Sequence, residues 1–208
     1  MAAKKPFLTY PLNWIFSAPS SVALLRALKD SGEGMSGRAA ARAAGINHQA
    51  CRQALDRLEA IGIIRRQGSG HTQLIRLNFE HVLVKDALLP LFRAEKEFQT
   101  LLRGSIKANL GKDARTATLF GSAARKEELP GSDLDLLLVA DGGNKERLTG
   151  KALSLGSAFI AQYGIRLSPI TLSTSEARAK YRNGDPLIKN ILSHGVDLLS
   201  EKLKDVLL

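Results

Sequence analysis

Apolar residues recur at three- and four-residue steps between residues 20 and 30, where Val22, Leu24, Leu25 and Leu28 predict a helix that begins at a Ser20 or Ser21 cap and runs to Asp30. Ser31-Gly32-Glu33-Gly34 ends it. Ser36 then caps a short alanine-rich helix reaching Ala43 or Ala44 and closed by Gly45, and Asn47 caps a third helix to Ala60 or Ile61. In that helix Cys51, Ala54, Leu55, Leu58 and Ile61 form an apolar stripe, while Gln49, Arg52, Gln53, Asp56 and Arg57 point the other way. After Gly62 the pattern changes. Ile63-Ile64-Arg65-Arg66-Gln67, a turn at Gly68-Ser69-Gly70 and Thr72-Gln73-Leu74-Ile75-Arg76-Leu77 read as a β-hairpin. Three helices followed by a basic hairpin predict a winged helix over residues 1–79.

Helical spacing returns over residues 80–112, at Leu83, Val84, Ala87, Leu88, Leu91, Phe98, Leu101 and Leu102, with Pro90 expected to break or kink the run after Leu89. This connector stripe is expected to pack against both modules or against a second copy of the chain in a homodimer. Residues 113–208 then alternate strands and helices. Arg115 to Phe120 and Leu136 to Val139 have strand character, as does Ile165 to Leu172. Glu146 to Tyr163 reads as a helix with Leu148, Leu153, Leu155, Phe159 and Ile160 available for a sheet. Ser173-Thr174-Ser175-Glu176 is a capping box, and Pro186 to Ser193 suits a last short helix before Gly195.

Composition narrows the classes. With 44% hydrophobic and 24% charged residues in 208, the chain can bury a real core and is neither a disordered tail nor a disulfide-stapled miniprotein. The lone Cys51 excludes an internal disulfide and a multi-cysteine zinc site, which fits a reducing compartment and makes the cytoplasm the expected location. Pro11, Asn13, Ser17 and Pro19 interrupt the uncharged run from Phe7 to Leu25, against a signal peptide, and no apolar stretch is long enough for a membrane span.

The net charge of +10 is unevenly spread: residues 1–79 carry +7, residues 80–112 carry +2 and residues 113–208 carry +1. A surplus confined to the first third points to an extended polyanion as its partner. The short second helix, the turn at Gly45-Ile46 and the third helix resemble a helix-turn-helix, so duplex DNA is the expected partner. Asn47, His48, Gln49, Arg52 and Gln53 would face the major groove, where Asn and Gln can bond adenine and Arg can bond guanine. Arg65, Arg66, His71 and Arg76 on the hairpin would hold phosphates or reach the minor groove. The competing reading is a protein-binding adaptor whose polar helix face is merely solvated.

The C-terminal module carries the chemistry. Its first strand runs into Gly121-Ser122, after which Ala123-Ala124-Arg125 can open a helix, and amides with a hydroxyl at such a turn can cradle nucleotide phosphates. Ser132-Asp133-Leu134-Asp135 leads the next strand, where alternate residues share a face and lie roughly 6.5 to 7 Å apart. Two carboxylates so placed can converge on a hard cation such as Mg²⁺ that also meets substrate phosphates. His194 has no acidic or cysteine partner in view and reads as satisfied or exposed, and Glu127 and Glu128 read as solvated.

Gly-Ser, ten intervening residues and Asp-x-Asp together resemble the signature of the polymerase-β-like nucleotidyltransferase superfamily, and Leu119 to Arg125 with Ser132 to Leu136 looks like its minimal branch. The resemblance covers about residues 113–200. It implies that Gly121, Ser122 and Arg125 bind a nucleoside triphosphate, and that Asp133 and Asp135 are the catalytic carboxylates binding Mg²⁺ or Mn²⁺ in a two-metal phosphoryl transfer. The fold it implies is α/β (α+β): a winged helix, a helical connector, and at 113–208 a nucleotidyltransferase mixed sheet with flanking helices. Two departures matter. Lys126 stands where the branch usually has glycine, and the strand expected to bring a third carboxylate is Ile165 to Leu172, with Arg166 and Ser168 but no acid. No Asp or Glu occurs between Glu146 and Glu176, and a guanidinium cannot ligate a metal. The intact Asp pair favours transfer of a nucleoside monophosphate to a hydroxyl acceptor. The missing acid favours a DNA-binding regulator whose nucleotidyltransferase fold senses nucleotide or binds a protein.

Overall fold

The structure, a computed structural model, describes residues 6–68 and 73–208. The chain divides into two compact units, Met1–Glu97 and Phe98–Leu208. In the first, α1 (Leu12–Ile15) is a single turn that buries Ile15, and α2 (Pro19–Leu28) follows it. The expected serine caps are not used. Ala18 is the N-cap and Pro19 the first helical residue, where its fixed φ suits the helix and its missing N–H leaves no donor unsatisfied. Ser21 is instead fully buried, and its hydroxyl finds no partner among the described residues.

The next two caps form as the side chains predict. Ser36 Oγ accepts from the Ala39 N–H at 3.3 Å to start α3 (Gly37–Ala43), and Asn47 Oδ1 accepts from Ala50 N–H at 2.8 Å to start α4 (His48–Ala60). Strands β1 (Ile64–Gln67) and β2 (Leu74–Leu77) pair antiparallel with Arg65 opposite Arg76 and Arg66 opposite Ile75, and Met35 bridges to Ile75. Ser69 to Thr72, with most of the expected turn, lie outside the described residues. Leu24, Leu25, Leu28, Cys51, Ala54, Leu58, Ile64, Ile75 and Leu77 share one core with Val84, Leu88 and Phe92. Burial there pushes the Cys51 thiol pKa up, so the thiol is packing material.

Pro90 does not end the connector helix. Val84–Leu88 widens into a π-turn in which the Leu89 N–H donates to the Val84 carbonyl, and α5 (Leu89–Leu110) continues with Pro90 as its second residue. The missing proline N–H thus falls where the α-ladder is already interrupted. Of the expected stripe, Val84, Leu88 and Leu102 are buried, but Leu91, Phe98 and Leu101 are exposed, and Phe92, Ile106 and Leu110 take their place inside.

The second unit is a four-stranded mixed sheet, order β5-β4-β3-β6, built from β3 (Thr116–Leu119), β4 (Leu134–Ala140), β5 (Leu167–Ser173) and β6 (Val196–Asp197). β3 runs antiparallel to β4 and β6, and β4 parallel to β5. Both faces are covered, which is why Leu136 to Ala140 is an unbroken apolar run. Leu136 and Leu138 face the C-terminal half of α5 and α7 (Lys145–Tyr163), whereas Leu137 and Val139 face α8 (Thr174–Arg182), α9 (Pro186–His194) and α10 (Leu203–Leu207). On α7, Leu148 and Phe159 reach the sheet as expected, but Leu153 and Ile160 stand 66% and 52% exposed because they lie on the far side of the helix. Buried Asp113 in the α5-to-β3 turn pairs with Lys151 and with Arg147, pinning α7, and the Lys151 ammonium first among these neighbours holds the Asp113 carboxyl below its ordinary pKa. Pro169 sits in β5, an edge strand, where a missing donor is tolerated.

Candidate functional site

The strands place the chemistry at the start of β4. Leu119 pairs with Leu136, and the Phe120 N–H donates to the Asp135 carbonyl at 3.0 Å, so the chain leaving β3 crosses directly above Asp135. Gly121 is the first residue of α6 (Gly121–Arg125), with φ +70°, and a Cβ there would stand 2.1 Å from Asp135 Oδ2. Only glycine permits both the backbone conformation and the approach. The Gly-Ser turn and the second carboxylate of the Asp pair are therefore one structural feature.

Lys126 closes α6 at φ 60°, ψ 39°, the left-handed conformation that glycine adopts freely, and it is the one non-glycine residue with positive φ among the described residues. Lys126 holds this conformation at a local cost in strain. Arg125 turns away to Glu127, at 2.8 Å, on the exposed side of the turn, while Ser122 lies beside Gly121. Ser132 Oγ accepts from the Leu129 N–H at 3.0 Å, which shapes the loop leading into Asp133.

On the other side, parallel pairing sets Leu134 against Leu167 and Asp135 against Ser168. The face that carries Asp133 and Asp135 thus carries Arg166 and Ser168 on the neighbouring strand. Arg166 Nε donates to Asp133 Oδ1 at 2.7 Å, and the Arg166 carbonyl accepts from the Leu134 N–H at 2.8 Å. The two carboxylates suit one hard cation shared with a phosphate. Asp133 is already engaged by a guanidinium, and no set of three or more His, Cys, Asp or Glu side chains able to hold a metal occurs among the described residues. His194 is exposed at the end of α9, its Nδ1 3.3 Å from the Asn190 carbonyl.

Residues 101–203 match the nucleotidyltransferase domain family. A protein of Methanocaldococcus jannaschii named as a protein adenylyltransferase is 36% identical over 89 residues, which are 42% of this chain and 59% of that relative's length. Both findings support the nucleotidyltransferase superfamily for the second unit. A crystal structure of a toxin–antitoxin with AMP-PNP superposes with a TM-score of 0.33 at 18% identity, covering 50% of this chain and 77% of that one. A likeness that loose assigns no residue a role.

The first unit gathers some of its expected nucleic-acid residues and separates others. His48, Arg52 and Arg66 line a groove of about 580 Å³ together with Ser36, Arg38 and Gln73. Arg66 is already engaged by Asp56 at 2.6 Å and Glu59 at 3.2 Å. Arg65 and Arg76 lie opposite one another on the other face of the hairpin, with Glu80 2.8 Å from Arg65. Asn47 spends its carbonyl on the α4 cap, Gln49 and Gln53 are exposed, and His71 lies outside the described residues. Arg38 and Gln73 were not singled out by the sequence, since only the packing of α3 against β2 brings them to the groove.

Proposed function

We propose that the second unit transfers a nucleoside monophosphate, with ATP the expected donor, to a hydroxyl on a protein acceptor. The observation that carries this is the contact of Gly121 with the Asp135 carboxylate, beside Asp133, within a segment that matches the nucleotidyltransferase domain family. The protein acceptor and the adenylyl donor are proposed from the name of the M. jannaschii relative. The amides and hydroxyl at Gly121 and Ser122 would hold phosphate oxygens, and Asp135 and Asp133 would hold Mg²⁺. Such a cation neutralises charge on the phosphates as the transfer proceeds. The acceptor oxygen bonds to the α-phosphorus, the bond to the pyrophosphate oxygen breaks, and the hydroxyl proton leaves to solvent, since β5 offers no carboxylate to take it.

The test is incubation of the full chain with ATP or GTP labelled at the α-phosphate, Mg²⁺ and candidate acceptor proteins. Labelled protein is the expected product, and Asp135→Asn should lower its rate roughly 10²-fold or more, the usual loss when one preorganised charge-stabilising contact is removed. No label in any acceptor, with nucleotide still bound, favours a second reading. In that reading the unit senses nucleotide, and Ser168 on β5 with Arg166 just before it, in place of an acid, are the observation in its favour.

For the first unit we propose a DNA-binding winged helix, supported by the +7 charge of residues 1–79 and by the groove that joins Arg38, His48 and Arg52. α4 would enter the major groove and the β1–β2 hairpin would lie against the backbone.

A further inference from the structure

We propose that the Arg166 guanidinium takes the place of a second divalent cation, holding Asp133 with Nε and offering both terminal nitrogens to a nucleotide phosphate. The inference rests on the nucleotidyl-transfer reading of the same site. Pairing of Leu134 with Leu167 and Asp135 with Ser168 makes Asp133–Arg166 and Asp135–Ser168 successive rungs on one face of the sheet. One rung joins a carboxylate to a guanidinium at 2.7 Å, and the other sets Asp135 in register with Ser168. Two cations held side by side would have to share Asp133 and Asp135, because β5 (Leu167–Ser173) adds no acid. The position is fixed by backbone, because the Leu134 N–H bonds the Arg166 carbonyl at 2.8 Å.

The charge balance follows from these rungs. Asp133 and Asp135 bring two negative charges and Arg166 returns one. One divalent cation held by Asp135 and by Asp133 Oδ2 would then leave the pocket net positive toward a triphosphate. Among the described residues the guanidinium bonds only through Nε, so Nη1 and Nη2 remain as a planar pair of donors matched to two phosphate oxygens. Arg166 is 69% exposed at its side chain and Asp133 38%, so a ligand can reach the pair.

The experiment counts Mn²⁺ by electron paramagnetic resonance on the full chain with a non-hydrolysable ATP analogue, and measures the analogue's affinity by calorimetry. The expected result is one Mn²⁺ per chain. Arg166→Gln should weaken the analogue roughly tenfold or more, the size of one lost charge-assisted hydrogen bond, and Arg166→Lys should recover part of the loss. Arg166→Asp should admit a second Mn²⁺. Two Mn²⁺ in the unmodified protein, or an Arg166→Gln affinity within about twofold of it, overturns the role of Arg166 while leaving nucleotidyl transfer standing. Absence of both Mn²⁺ and analogue from the unmodified protein overturns the two readings together. Unchanged thermal melts are expected for all three variants because Arg166 is exposed.

Discussion

Gly121→Ala puts the junction of the phosphate turn and the Asp pair to a quantitative test. The new methyl carbon would meet Asp135 Oδ2 at 2.1 Å and Cγ at 3.1 Å, in a residue held at φ +70°. The left-handed conformation alone costs roughly 1–2 kcal/mol for a residue with a Cβ. Relieving the overlap, by rotating the carboxylate or shifting the turn, adds about 1–3 kcal/mol, the usual range for overpacking. The expected total is about 2–5 kcal/mol, which for a unit of this size lowers the melting temperature by roughly 10–25 °C. Gly131 provides the control: its φ is +89° but nothing lies within 4 Å of a Cβ there, so Gly131→Ala should cost only the backbone part. Urea unfolding of both variants, and of Gly121→Ala on an Asp135→Ala background, separates the contributions. With the carboxylate gone the nearest atom of residue 135 is its Cβ, at 3.4 Å, and the added cost of Gly121→Ala should fall to that of Gly131→Ala. If Gly121→Ala costs no more than Gly131→Ala with Asp135 intact, the contact that carries the functional reading does not exist.

Lys126→Gly should raise stability by up to about 1 kcal/mol in the same assay, because it removes a side chain from a left-handed residue, partly offset by a more flexible unfolded chain. Glu176, bonded by Lys145 and by the Ser173 N–H of its capping box, has its pKa lowered to about 2 from 4.5. Its contribution is therefore whole above about pH 4.5 and is lost as pH falls toward 2, so Glu176→Gln should flatten stability against pH in that window, and added salt should flatten it in the parent. In DNA titrations by fluorescence anisotropy, Arg52→Ala should relax the sequence preference, whereas Arg66→Ala, whose charge Asp56 and Glu59 already occupy, should leave both the preference and the log-log salt slope unchanged.

Local signals were legible in the sequence wherever one side chain decides the outcome. Ser36 and Asn47 cap their helices, and Ser173 with Glu176 closes a full capping box. The run from Leu136 to Val139 is a strand buried on both sides. What escaped depends on neighbours distant in sequence. β6 is two residues long and exists only because β3 offers it an edge, and α10 is only five residues long, too short for periodicity to reveal. Pro90 was expected to break or kink the run, and only the preceding π-turn shows how it is absorbed. At the site, Gly121, Ser122, Asp133 and Asp135 were visible as a spaced motif. That Arg166 and Ser168 share their face, and that Arg166 bonds Asp133, follows from parallel register, which no residue of β5 announces by itself.

Pro169 has a consequence for how the protein behaves among copies of itself. β5 is seven residues long and forms one border of the sheet, so its outer edge is a row of backbone groups able to recruit another extended chain. A proline near its middle removes one N–H from the strand and stiffens the backbone there, so an incoming strand cannot zip along it without a gap. The same strand that frames the carboxylate face is thereby guarded against runaway sheet growth, and it can stay open beside the site without becoming a seed for aggregation.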